Sequence, residues 1–157
     1  LLISLVESSL KNTAIEKTIF ISNTKYTSIA YKKTKLEDED IVTQYNESKE
    51  LKTQRYLVSK DGNIIGIIEY GMESPRAKKP WLTLLIIDSQ YQGQGYAKET
   101  YYAYENKMRN IHVKCIQIAV HATNEKALTF WTALGFVKYD ERIFEGDRMY
   151  SLEKQLM

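Results

Sequence analysis

An α/β domain is the fold class the chain predicts, on three observations. From residue 55 onward, β-rich runs and helical repeats follow in the order strand, strand, strand, helix, strand, helix, strand, strand. One of those strands, "WLTLLIID", is apolar on both alternating faces, as a strand covered on both sides must be. The 157 residues suffice for one domain with a real core, burying about 70% of its unfolded surface, and are too few for two comfortable ones.

The first 52 residues carry the weakest pattern. Residues 1–10 fit either an amphipathic helix or a first strand, "KTIFIS" and "YTSIAY" have strand composition, and residues 40–52 read as helix. The acidic run "EDED" at 37–40 is expected to be a solvated helix start, because no matching ligands lie nearby to make it a metal site.

Beyond residue 55 each element has its own signal. "RYLVS" and "IIGIIEY" are joined by "KDGN", and Asp61-Gly62 supplies the positive φ angles that a tight hairpin needs. The loop "GMESPRAKKP" holds Pro75 and Pro80 and leads into "WLTLLIID". Ala97, Tyr101, Tyr104 and Met108 then recur at steps of four, three and four, one stripe of an amphipathic helix ending near Asn110. The strand "KCIQIAVHA" covers 114–122. In "TNEKALTFWTALGF", Thr123 or Asn124 is the cap, Ala127, Phe130, Trp131 and Leu134 form the apolar face, and Gly135 stands where a left-handed cap belongs. "FVKYDER" and "RMYSLEK" close the chain as strands around "FEGD".

Composition narrows the function. Hydrophobic residues at 43% and charged residues at 27% are ordinary for a globular chain and argue against disorder. A net charge of +2, from 22 basic and 20 acidic residues, is too small to argue for nucleic acid or an anionic membrane; only the "RAKK" loop points that way, and it reads as a solvated hairpin edge. The single cysteine, Cys115, excludes an internal disulfide framework, fits a reducing cytoplasm and, within a strand, reads as a buried inert thiol. No apolar run approaches the roughly 20 residues of a membrane span. The opening lacks a basic leader and carries Glu7, so no signal peptide is expected, and the absence of an initial methionine suggests that a short native segment precedes it.

Chemistry enters at "DSQYQGQGYAKET", 88–100. Gly93 and Gly95 lie between the doubly apolar strand and a helix, where free backbone amides and the helix dipole suit an anion and missing side chains allow close approach. A tight turn without a ligand accounts for two glycines nearly as well. The dinucleotide fingerprint does not fit, since the third glycine and the downstream acidic strand end are absent.

About 30 residues later, "N-x-x-A-x-x-F-W-x-x-L-G-F" spans 124–136. The two segments together resemble the GCN5-related N-acetyltransferase (GNAT) family. Gln92, Gly95 and Ala97 match its glycine-turn pattern, and Asn124, Ala127, Trp131, Gly135 and Phe136 resemble its second signature, over a region of roughly 55–153. The resemblance implies a mixed, mostly antiparallel central sheet flanked by helices, with the strand 81–88 splaying from the strand 114–122 to form a wedge for acetyl-CoA. It implies that the pantetheine arm bonds the backbone of Leu85 and Ile87. The pyrophosphate would take amides of Gln92, Gly93, Gln94, Gly95, Tyr96 and Ala97, Asn124 would bond from the other wall, and no metal would be needed. An amine, small molecule or peptide, would be the acceptor, attacking directly in a ternary complex; a homodimer stays open.

The chain departs from the family at Trp131, where a tyrosine often protonates the departing thiolate. An indole donates a hydrogen bond but gives up no proton usefully, so Trp131 is expected to pack against the acyl end or fill core. A thiol of pKa near 8.5 leaves tolerably without an acid, so turnover is still expected. For the base, Glu69 is placed beside the start of the central strand, by setting Tyr70 opposite Trp81, with its pKa raised by partial desolvation. Glu73 in the following loop ranks second and Asp88, near the phosphates, last. His121 reads as a hydrogen-bonded structural histidine and His112 as exposed. A competing reading is a CoA-binding sensor or scaffold without turnover, prompted by the missing tyrosine.

Overall fold

The computed structural model describes residues 3–157; residues 1–2 of the expected opening element lie outside the described residues. The chain runs β1 (Ser4–Glu7), a 3-10 turn (Leu10–Asn12), α1 (Thr13–Ile21), α2 (Thr24–Ala30), α3 (Asp38–Leu51), β2 (Gln54–Lys60), β3 (Asn63–Gly71), β4 (Trp81–Ile87) and a second 3-10 turn (Ser89–Tyr91). It continues through α4 (Tyr96–Asn110), β5 (Cys115–His121), α5 (Glu125–Ala133), β6 (Val137–Phe144) and β7 (Asp147–Gln155). One sheet of seven strands has the order β1-β2-β3-β4-β5-β7-β6, antiparallel throughout except between β4 and β5.

The sheet has a core on each face. Val58, Ile68, Tyr70 and Leu82 pack with Tyr101, Tyr104 and Met108 of α4 and with Trp131 of α5. On the opposite face Leu57, Ile67, Leu84 and Ile86 pack with Ile19 and Phe20 of α1 and with Ile41 of α3. β4 feeds both cores, which is why its sequence is apolar on both faces. No helix among the described residues is long and apolar enough to cross a membrane.

Two expectations for the first 52 residues need correction. "KTIFIS" and "YTSIAY" fall on α1 and α2, not on strands. Ile19 and Phe20, whose strand-favouring side chains suggested otherwise, form the fully buried face of α1, and tertiary burial overrides their weak local preference. The opening contains a strand, β1, paired along β2. α3 begins at the acidic run: Asp40 accepts from the Glu37 N–H at 2.8 Å, and Asp38, Glu39 and Asp40 occupy the first turn, where the dipole favours negative charge. The β2–β3 hairpin turns on Asp61 (φ 52) and Gly62 (φ 81), the positive angles its sequence predicts.

Beneath the second core lies a buried polar network. Arg55 on β2 reaches Glu16 on α1 at 2.6 Å and Glu69 on β3 at 2.7 Å. Ser8 and Tyr45 donate to Glu16, while Ser48 and Thr53 donate to Glu69 at 2.9 and 2.6 Å. Burial works against the Arg55 charge, but the two carboxylates outweigh it and hold the guanidinium more firmly protonated than usual. The network ties β1, α1 and α3 to the sheet; its weak point is the single cation facing two carboxylates. Replacing Arg55 with methionine leaves both acids buried without a counter-charge and is expected to cost about 3–5 kcal/mol in equilibrium denaturation. A loss below about 1 kcal/mol would show that the carboxylates do not depend on it.

Candidate active site

β4 and β5 touch at one register pair, Trp81 with Gln117, next to a hydrogen bond from the Gln117 N–H to the Pro80 carbonyl at 3.0 Å. Beyond that point they diverge. A bulge helps to part them: Glu69 faces Leu84 and Tyr70 faces Leu82, so Thr83 is the extra residue on β4. The expected pairing of Tyr70 with Trp81 is off by one, because Trp81 faces Gly71.

The register also fixes which backbone groups are left over. The Asp88 N–H bonds the Ile65 carbonyl at 2.8 Å, so alternation along an antiparallel pair turns the polar groups of Ile86 and Leu84 toward β3. Those of Leu85 and Ile87 point the other way, into the gap. At the outer end the Ile87 carbonyl accepts from Asn23 Nδ2 at 3.0 Å and from Gln92 Nε2 at 2.8 Å. Gly66 keeps β3 close enough for this register, since a Cβ there would run into the Ile86 carbonyl oxygen.

The strand ends at Asp88, whose Oδ1 caps the short turn by accepting from the Gln90 N–H at 2.9 Å. Gly93 (φ 78) and Gly95 (φ 83) then hold left-handed angles, and Gly95 is the N-cap of the 15-residue α4. A Cβ on either would meet nothing within 4 Å, so these glycines serve backbone shape and open onto free space. The first amides of α4 have no partner within the helix, and no side chain caps them.

These parts enclose a cleft of ≈ 550 Å³. Leu85, Ile86 and Ile87 form one side, and Gln92, Gly93, Gly95, Tyr96 and Ala97 the mouth. Asn124, Ala127, Phe130 and Trp131 form the far wall, while Gln94 is exposed and not part of the lining. Lys25, Lys98 and Lys126 also line it, and no carboxylate among the described residues does. Asn124 uses its Oδ1 to cap α5 through the Ala127 N–H at 3.1 Å. Trp131 is 9% exposed and packs edge-on against Tyr101, Phe130 and Phe136, with centroids at 5.7, 4.9 and 5.3 Å.

The fourth side is one that sequence reasoning missed. Ser22, Asn23, Thr24, Lys25 and Tyr26, at the α1–α2 junction, also line the cleft. Asn23 Oδ1 accepts from Gln92 Nε2 at 2.6 Å, and Ser22 Oγ accepts from the Ser89 N–H at 3.0 Å, so the junction is latched to the glycine turn. The one available signal was the polar "SNT" between two apolar runs, a helix stop and restart hidden by their strand-like composition.

The titratable candidates scatter. Glu69 is 6% exposed, so it does not sit on an exposed strand face; Arg55 holds Oε1, and Ser48 and Thr53 hold Oε2. Glu73 is exposed, 3.8 Å from Lys78, and does not line the cleft. Asp88 is buried and spent on its cap. His121 lies 3.6 Å from Asp147, to which Lys32 also binds, and His112 is exposed. Cys115 is half-buried, beside Glu153, and burial raises its thiol pKa.

The sequence model of the Acetyltransferase (GNAT) family matches residues 19–136. No curated protein sequence matches the chain. Among solved structures, an acetyltransferase from Thermus thermophilus superposes with a TM-score of 0.79 at 20% identity, covering 99% of this chain and 98% of that one. A spermidine N-acetyltransferase from Vibrio cholerae, in complex with CoA and spermine, gives 0.74 at 16% identity over 98% and 95%. An acetyl transferase from Salmonella typhimurium that modifies the N-terminal serine of a ribosomal subunit protein gives 0.80 at 11% over 99% and 96%. At these identities the superpositions show the fold: the mixed, mostly antiparallel sheet flanked by helices. The family match spans the α1–α2 junction, the open β4 edge, the glycine turn and the Asn124 helix together, and on it the chain belongs to the GNAT acetyltransferase family.

Proposed function

We propose that the chain moves an acetyl group from acetyl-CoA to a primary amine by direct attack in a ternary complex. The observation that carries this reading is the β4 edge whose unpaired backbone runs straight into the glycine turn. Unpaired buried amides and carbonyls need partners, and an amide-bearing pantetheine arm lying along Leu85 and Ile87 supplies them. With the arm in that place, the pyrophosphate falls at the amides of Gln92, Gly93, Gln94, Gly95, Tyr96 and Ala97, where α4 presents its positive end to a mouth ringed by three lysines. Asn124 and Trp131 then face the arm from α5.

A second charged group lies outside the cleft lining. Glu47 on α3 is felt by Glu145 at the β6–β7 turn, by Glu69 and by Glu50, and burial and these neighbours raise its pKa. Such a surface attracts an alkylammonium, as the named amine substrates of two structural neighbours are. In this reading Glu69, held by Arg55 and two hydroxyls, contributes field and not proton transfer, and Glu73 takes no part.

Both halves of the proposal have a direct test. Acetyl-CoA is expected to raise the Tm of the wild type, by a stabilisation of about 2.7 kcal/mol at a hundredfold excess over Kd. Gly95→Asp, which strains a left-handed position and sets a carboxylate against phosphate, is expected to abolish the shift; an unshifted wild type at millimolar acetyl-CoA would remove the cofactor assignment. Release of coenzyme A over a panel of polyamines, amino acids and short peptides is expected with at least one amine. Tight binding with no turnover on any of them supports the sensor reading that Trp131 suggests.

A further inference from the structure

The helices on the second-core face cover only part of the sheet, for that core takes its strand residues from β2, β3 and β4. Ile116, Ile118 and Val120 of β5 and Leu152 of β7 point into the first core, so Gln117, Ala119 and Ser151 face the other way. Asp140 of β6 stands opposite Ser151, and Arg142 follows on the same face.

On this face lies a second hollow, of ≈ 260 Å³, at the point where Trp81 of β4 meets Gln117 of β5. The small side chains of Ala119 and Ser151 leave the space. The β3–β4 loop bounds it on one side. There the Ser74 N–H donates to the Lys79 carbonyl at 2.9 Å and Ser74 Oγ accepts from the Lys79 N–H at 3.2 Å, a closure that holds Arg76 at the rim.

The charge of the hollow is not balanced. Its one carboxylate among the described residues, Asp140, is committed: Oδ1 accepts from the Glu141 N–H at 2.9 Å and Oδ2 lies 4.0 Å from Arg76. The other basic residues of the β6–β7 hairpin are paired, Lys138 and Arg148 with Glu141 and Lys154 with Glu105. Arg142 lines the hollow with no acidic partner among the described residues. Trp81 lines it too, and no described residue accepts from its buried indole N–H.

In the acetyl-transfer reading, on which this inference rests, the pyrophosphate lies at the glycine turn and the arm runs back along Ile87 and Leu85. Its sulfur then points toward the closed end of the gap, where the hollow is. Leu85 and Trp81 are separated by about 13 Å of strand, which an arm ending short of Trp81 and a small acceptor can span together. We propose that the hollow is an acceptor subsite for a carboxylate, held by Arg142, so that the amines acetylated by this chain carry a carboxylate a short carbon chain from the nitrogen. A guanidinium matches a carboxylate in shape as well as charge, and one uncompensated positive charge suits one negative charge. A second ammonium in the same place would meet like charge, which disfavours diamines.

The test compares coenzyme A release with glycine, β-alanine, γ-aminobutyrate, δ-aminovalerate and ε-aminohexanoate, each beside the alkylamine of the same length, and with cadaverine. The best amino acid should exceed both its alkylamine and cadaverine about tenfold in kcat/KM. Arg142→Gln should raise KM for that amino acid and bring the ratio near one, and Arg142→Lys, which keeps the charge without the fork, should restore part of it. Binding is read apart from turnover by the Trp81 indole N–H resonance in protein saturated with CoA, identified by its loss in Trp81→Phe. The best amino acid should shift it at about one tenth of the alkylamine concentration. Equal kcat/KM for amino acids and alkylamines, a preference for cadaverine, or a Trp81 resonance that no amino acid moves would overturn the subsite while leaving acetyl transfer intact. A wild type that neither binds CoA nor releases it with any amine would overturn both.

Discussion

β4 and β5 are parallel neighbours that meet at a single pair, Trp81 with Gln117, and the site follows from that separation. A parallel pair in register for its full length would satisfy the backbone of Leu85 and Ile87 and leave no room between strands. Instead the hydrogen bond from the Gln117 N–H to the Pro80 carbonyl closes the strands at one end only, and they part past the bulge at Thr83. The open end is lined by backbone polar groups, which are expensive to leave unpaired away from water. The fold tolerates this because the gap faces solvent at its mouth and because Asn23 and Gln92 already occupy the outermost carbonyl.

The same separation organises the charge of the site. Lys25, Lys98 and Lys126 surround the mouth, where α4 begins at a left-handed glycine. Carboxylates gather away from that lining, around Glu47 and in the Glu16–Arg55–Glu69 network. The Arg55 network has a second role in this arrangement. It fixes α1 and α3 against the sheet, and α1 leads into the junction that carries Asn23 and Tyr26, so that wall of the cleft is positioned by a buried ion cluster and not by a loop.

Much of this was legible in the chain, for identifiable reasons. The elements after residue 55 are punctuated by strong local chemistry: Asp61-Gly62 at a hairpin, Gly93 and Gly95 at a strand-to-helix turn, Asn124 and Gly135 at the two ends of α5. The doubly apolar β4 declared itself as central. Residues 19–31 did not, because Ile19, Phe20 and Tyr26 are strand-favouring types that become helical through packing against the sheet, and one missed pair of helices hid the fourth side of the cleft. Glu69 was singled out by its place on a strand next to β4, but the distant partners Glu16, Ser48 and Arg55 that define its surroundings lie 14 to 53 residues away in sequence and leave no local pattern.

The separation of β4 from β5 has one direct measure, amide hydrogen exchange along β4 with and without CoA. Ile86, whose N–H is directed to β3, should be protected in both states. Leu85 and Ile87, directed into the cleft, should exchange quickly in the free protein and slow by at least about tenfold when CoA is bound, a change of about 1.4 kcal/mol in local opening. Protection of all three amides in the free protein would mean that the strands are paired and the cleft closed, and would contradict the account at its base.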